Sequence, residues 1–289
     1  MLAAFLLVLR EGFEATLLVA IVLAYLVKIG RSGDTRGVWY GIAAAAGLSA
    51  MVGMVMFATA SSLAGDRGEI FKGVTMWIAV AVLTYMVLWM RRQSRTVAAD
   101  LRRGIDEAVK KGSSVLALAT LAFVMVFREG LETTLFMFGV TQASSPLQVL
   151  VGGTLGLIGA VGLGYAVYVG GLRLNLGAFF KATGLLLLVV AAGLFAHGMA
   201  MLESASLIPS FFYPLWDLSG VAILTHHSLL GQFLIAFFGW DPKPDLLEFG
   251  VWLGYIAVVG YFFLKPQGPT PKQSGTGGEE DSRAAQAAG

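Results

Sequence analysis

Long apolar stretches separated by short polar ones fill most of the chain. Seven apolar runs have the length that carries a helix across a bilayer, about 18–25 residues. They lie at roughly 2–27, 38–62, 70–90, 114–138, 148–170, 177–200 and 248–264. The first holds Arg10, Glu11 and Glu14 in its middle and no basic residue before them, so it reads as a retained span and not a secretory leader. The stretch 220–240 carries His226, His227 and Gln232, and its clean apolar part is short. It reads as an interfacial half-helix, with a full span as the alternative. The pattern predicts an all-α integral membrane protein of seven transmembrane helices.

Composition supports this and removes other classes. The 289 residues are 57% hydrophobic and 13% charged, with a mean hydropathy of +0.76. Soluble domains carry about 25% charged residues. A net charge of +2 with no basic stripe outside one loop excludes a nucleic-acid binder. The absence of cysteine excludes disulfide scaffolds, iron–sulfur proteins and thiolate metal sites. Sorting Lys and Arg over the seven spans with the N-terminus outside puts fourteen on the inner side and three on the outer. By the positive-inside rule this predicts N-out, C-in. The outer segments carry seven acids, Asp66, Glu69, Glu203, Asp217, Asp241, Asp245 and Glu248, which read as a solvated surface or as a weak cation-collecting vestibule.

REGFEATL (Arg10–Leu17) returns as REGLETTL (Arg128–Leu135), identical at six of eight positions. A second echo sets Glu69–Val80 against Ala178–Val189 and aligns Lys72 with Lys181. A weaker third sets Gly41 and Gly47 against Gly156 and Gly162. The expected organisation is repeat 1 (1–90), a basic cytoplasmic linker (91–113), repeat 2 (114–200), an outer segment with the half-helix (201–247), a seventh helix (248–265) and a disordered cytoplasmic tail (266–289). With three spans each, the halves lie in opposite orientations, an arrangement typical of secondary transporters.

The repeated motif puts charge where lipid is expected. Glu11 and Glu14 share a helix face, as do Glu129 and Glu132, while Arg10 and Arg128 stand four residues from the second glutamate of each motif. A charged residue at that depth costs about 2.5–3.5 kcal/mol if it faces lipid, so the six must face one another or a wet path. A structural ion-pair cluster would more naturally be neutral, but here acids outnumber bases two to one. Surplus carboxylate oxygen suits a hard cation such as Ca²⁺, Mg²⁺, Mn²⁺, Fe²⁺ or Fe³⁺. Gly12 and Gly130 permit close helix approach, and the hydroxyls of Thr16, Thr133 and Thr134 are expected to bond back to their own helices.

The paired REGFE and REGLE sequences, one on the first helix of each half, resemble the REGLE motifs of the oxidase-dependent iron transporter family, which includes fungal ferric permeases and bacterial iron-uptake permeases. The stretches Phe180–Met199 and Leu83–Arg92, with Tyr213, Trp216, Asp217, Gly231 and Trp240, are similar to the bacterial branch. The likeness spans about residues 1–265; Phe13 stands where the motif usually has Leu. It implies an iron permease of the bacterial inner membrane that is not an enzyme and holds no resident cofactor. Glu11, Glu14, Glu129 and Glu132 would bind the ion, with Arg10, Arg128, Gly12 and Gly130 in support. It also implies a periplasmic or extracellular iron-oxidising or iron-binding partner.

His197, Glu203, Asp217, His226, His227 and Glu69 are secondary candidates for the path, each against a packing or surface role. The six tryptophans read as an aromatic belt. Competing functions are transport of lead or manganese, a membrane metalloenzyme or electron-transfer subunit, and a structural scaffold. The enzyme reading is weakened because neither motif carries a His three residues after a Glu.

Overall fold

Within a bilayer every backbone N–H and C=O needs a partner in the protein itself, so an apolar run that spans singly must coil into a helix. The computed structural model describes residues 1–63, 65–93, 114–169, 175–210, 212–221, 228, 231, 234 and 239–265. Among these it has seven α-helices, one on each expected run: α1 (Leu2–Lys28), α2 (Thr35–Ser62), α3 (Asp66–Gln93), α4 (Ser114–Ala143), α5 (Pro146–Tyr168), α6 (Leu176–Ser204) and α7 (Leu246–Leu264). A 3-10 turn, Ser32–Asp34, precedes α2. Local chemistry sets several starts. Asn175 caps α6 by accepting from the Ala178 N–H, Pro146 opens α5, and Asp245 with Glu248 forms a capping box on α7. Most of the linker and half-helix, Arg173, His226, His227 and the tail fall outside the described residues.

Five helices, α2, α3, α5, α6 and α7, are long and apolar enough to cross a membrane. The other two, α1 and α4, are those that carry the Arg-Glu-Gly-x-Glu motifs, whose charges interrupt the apolar run. The protein is therefore a multi-pass membrane protein, all-helical over its described residues. Burial separates centre from rim: 61% of the apolar stretch of α6 is inside the protein, against 22% for α2 and 11% for α7. The rim helices turn large apolar side chains such as Met54, Ile158 and Phe262 outward, as lipid requires.

The strongest packing joins α1 to α5, α2 to α4, and α3 to α6. Small residues allow the first two approaches. At Gly152 and Gly156 an added Cβ would strike the α1 backbone at Met1 and Phe5, and at Gly37 and Gly41 it would strike the α4 backbone at Val115 and Ala119. In both pairs residue numbers rise together, so α1 runs parallel to α5 and α2 parallel to α4. Two hydrogen bonds duplicate one another across these crossings. Thr16 Oγ1 donates to the Ala160 carbonyl at 3.1 Å, and Thr134 Oγ1 to the Ser49 carbonyl at 3.3 Å.

These contacts correct the third echo. Gly41 corresponds to Gly152 and Gly53 to Gly164, because each member of a pair meets the matching residue of its partner helix. The register is one helical turn away from Gly41 with Gly156. Gly47 and Gly162, the other expected pair, have nothing within 4 Å and contribute no crossing. Gly41→Ala should therefore lower stability by about 1–3 kcal/mol through overpacking, while Gly47→Ala should leave it unchanged or slightly raised. Thermal unfolding of the two variants in detergent reads the difference; equal losses would contradict the register.

Candidate functional site: a buried carboxylate cluster

The two motifs meet where α1 crosses α4. The motif glycines let each motif helix lie close on a neighbour: a Cβ on Gly12 would lie 2.9 Å from the Ala160 Cβ of α5, and one on Gly130 would collide with the Ser49 side chain of α2. With both motif helices pulled tight against their partners, the glutamates turn inward. Carboxylate oxygens of Glu11, Glu14 and Glu129 all lie within 4.8 Å of one another. Their residues are 0%, 6% and 5% exposed, so the oxygens can reach an ion without competing bulk water. Glu11 Oε2 and Glu129 Oε2 have no hydrogen-bond partner. When ionised, buried carboxylate oxygens left open in this way are costly unless a cation fills the gap.

The sequence reading brings four carboxylates together; three of them lie within 4.8 Å of one another, and the fourth, Glu132, pairs with its own motif arginine while its buried Oε2 has no hydrogen-bond partner. Glu132 Oε1 accepts from Arg128 Nε at 3.0 Å, and Arg128 Nε also lies 3.9 Å from Glu129. The two arginines, equivalent in sequence, differ in environment. Arg10 is fully buried. Its Nη1 donates to Glu11 Oε1 at 2.9 Å, and its Nη2 pairs with Glu14 Oε1 at 3.2 Å. Arg128 has a half-exposed side chain and lies over the Trp89 ring at 5.1 Å. The threonine hydroxyls bond to helix carbonyls as expected: Thr133 to Glu129 O, Thr134 to Gly130 O and Thr16 to Phe13 O.

On the side of the α1 N-terminus a cavity of about 390 Å³ opens between α1, α4, α6, α7 and the segment before α7. Ala3, Val140 and Leu194 belong to its apolar lining; His197, Asp241 and Glu248 supply polar groups. Trp216, Trp240 and Trp252 all line this one cavity, with Trp216 and Trp240 stacked at 6.1 Å. Phe249 meets Trp216 edge-on at 5.0 Å and stacks on Trp252 at 6.2 Å, which draws the indoles together, and no periodicity along the chain announces that.

Of the remaining candidates, Glu203 is half-buried near the C-terminal end of α6, and its Oε1 has no hydrogen-bond partner. Glu69 pairs with Lys72 at 3.0 Å at the start of α3. Asp217 is exposed and pairs with Lys243 at 3.0 Å. The Ser219 hydroxyl, and then the Lys243 ammonium, hold the Asp217 carboxyl down to about 2. None of these joins the central cluster, and His226 and His227 lie outside the described residues. Sequence reasoning missed Met86, Trp89 and Ser49, which touch the motifs from helices that bear no motif. Their only sequence signal is that Met86 and Trp89 fall within Leu83–Arg92, one of the stretches that carried the family likeness.

The chain matches the iron permease FTR1 family over residues 1–266. It is 38% identical over 277 residues to the ferrous iron permease EfeU of Escherichia coli O6:H1, covering 95% of this chain and 100% of that protein. The same identity and coverage hold for the ferrous iron permease EfeU of Shigella sonnei. The ferrous iron permease EfeU of Yersinia pestis is 38% identical over 269 residues, covering 92% of this chain and 95% of that protein. No solved structure matches the chain.

Proposed function

This chain belongs to the iron permease FTR1 family, and from that premise we propose how it carries iron across the membrane. The ion is ferrous iron, and it binds at Glu11, Glu14 and Glu129. The observation that carries this reading is the convergence of those three buried carboxylates within 4.8 Å. Ionised, they and Arg10 carry a net charge of −2, which one divalent ion neutralises. Glu132 and Arg128 stand beside the site as the next pair in the path. Oxygen donors at this spacing suit Fe²⁺ and also admit Mn²⁺.

The chain crosses the membrane seven times, N-terminus outside, as an inverted three-plus-three repeat followed by α7. Two observations support this. The first helix of each half packs in parallel on the second helix of the other half, and the duplicated threonine bonds tie the same positions. Fourteen basic residues on the inner side against three outside support the orientation. Iron then arrives through the outer cavity, past His197, Asp241 and Glu248, and leaves on the inner side as the two halves rock. The membrane is the inner membrane, the protein is a permease without a resident cofactor, and an iron-oxidising or iron-binding partner meets its outer face.

Reconstitution in liposomes tests this. Uptake of radioactive iron should require a reductant, and a tenfold excess of Mg²⁺ should leave it unchanged. Uptake confined to ferric iron would overturn the ferrous assignment. Stronger competition by Mn²⁺ or Pb²⁺ than by unlabelled Fe²⁺ would move the substrate to another metal.

A further inference from the structure

One contact in the cluster is not made by a carboxylate. Arg10 Nη1, the nitrogen that donates to Glu11 Oε1 at 2.9 Å, also lies 2.7 Å from the sulfur of Met86 on α3. Met86 is 1% exposed. The guanidinium is poorly matched to its surroundings: its Nε has no partner, and its pairing with Glu14 Oε1 at 3.2 Å lacks hydrogen-bond alignment. A buried guanidinium with an idle donor is a costly arrangement. It sits as a cation in a place lined by carboxylate oxygens and one thioether, without using all of its own hydrogen-bonding capacity.

We propose that the transported ion takes the place of that guanidinium nitrogen, with Met86 Sδ as a ligand beside the carboxylates of Glu11, Glu14 and Glu129, and that this sulfur sets the selectivity of the permease. The proposal rests on the carboxylate site described above and adds the basis of its discrimination. Three carboxylates alone do not favour Fe²⁺ over Ca²⁺ or Mg²⁺, since all accept hard oxygen. A thioether is neutral and polarisable. It adds almost nothing to the binding of Mg²⁺ or Ca²⁺, while a first-row transition ion gains a bond. The placement also joins α3, which has no motif of its own, to the ion: Met86 and Trp89, one turn apart, hold one motif arginine each. Only Nη1 has to move aside for the ion, so the guanidinium keeps its pairing with Glu14 Oε1 and its charge still counts toward the net −2 of the site.

The chain has no cysteine, so any sulfur in the first shell of a bound ion comes from a methionine. X-ray absorption of the full-length protein loaded with Fe²⁺, and separately with the softer Cd²⁺, should show one sulfur scatterer in wild type and none in Met86→Leu, a substitution of similar volume. In uptake assays Met86→Leu should lower the preference for Fe²⁺ over Ca²⁺ roughly tenfold, the order of a single tuned ligand, and reduce inhibition by Cd²⁺. An oxygen-only shell in wild type, or sulfur that persists in Met86→Leu, would overturn the proposal. Glu14→Gln separates it from its premise. If that variant binds iron as wild type does, the carboxylate site itself fails; if it loses iron while the wild-type shell holds no sulfur, only the assignment to Met86 fails.

Discussion

Glu14→Gln should cut iron uptake by roughly a hundredfold or more, because affinity of oxygen sites for divalent ions follows the number of charged ligands across decades. Glutamine keeps the shape of the side chain and one oxygen but removes the charge. The cluster with Arg10 then holds −1 against an ion of +2, in a place where Glu14 is 6% exposed and water does little to compensate. Glu129→Gln should behave alike. Glu132→Gln should be milder, since Glu132 stands outside the three-carboxylate set and pairs with Arg128 at 3.0 Å. Glu69→Gln is the control: this acid at the start of α3 pairs with Lys72, and its loss should leave uptake unchanged. The assay is initial uptake in liposomes at matched protein density. Wild-type rates in Glu14→Gln would remove the central site from the mechanism.

Arg10→Ala should destabilise the protein by about 3–5 kcal/mol, the cost of stripping the partner from a buried ion pair. Arg128→Ala should cost about 1 kcal/mol, the scale of an exposed pair with one cation–π contact. The difference follows from environment alone: the side chains are 1% and 46% exposed. Without Arg10, Glu11 and Glu14 face each other with no cation between them. Added Fe²⁺ should therefore recover much of the loss in Arg10→Ala and little in Arg128→Ala. Unfolding midpoints in detergent, with and without Fe²⁺ under reductant, measure both effects. Equal losses in the two variants would mean that the asymmetry of the site has no energetic weight.

Much of the architecture was legible because lipid imposes simple rules. The seven runs became helices with ends shifted by a few residues, since an unpaired backbone cannot stay in hydrocarbon. The motif charges stood out against apolar surroundings, and their repetition marked α1 and α4 as the pair that builds the site. Less legible was anything set by helix rotation and register. The glycine echo was misaligned by one turn because glycine is frequent in these helices and only interhelical contact distinguishes Gly41 from Gly47. The three cavity tryptophans come from distant stretches, 216, 240 and 252, and no spacing links them.

By itself the sequence determined an all-helical membrane protein, a duplicated Arg-Glu-Gly-x-Glu motif and an excess of carboxylate at its crossing. These follow from hydropathy and charge, which act residue by residue. Tertiary structure decided which charges meet. Two motifs alike in sequence are packed against unlike neighbours, Arg10 beneath Met86 and Arg128 over Trp89. The third helix breaks their equivalence because it offers a thioether to one arginine and an indole face to the other. So three carboxylates close to within 4.8 Å of one another, and the fourth is held by its own motif arginine.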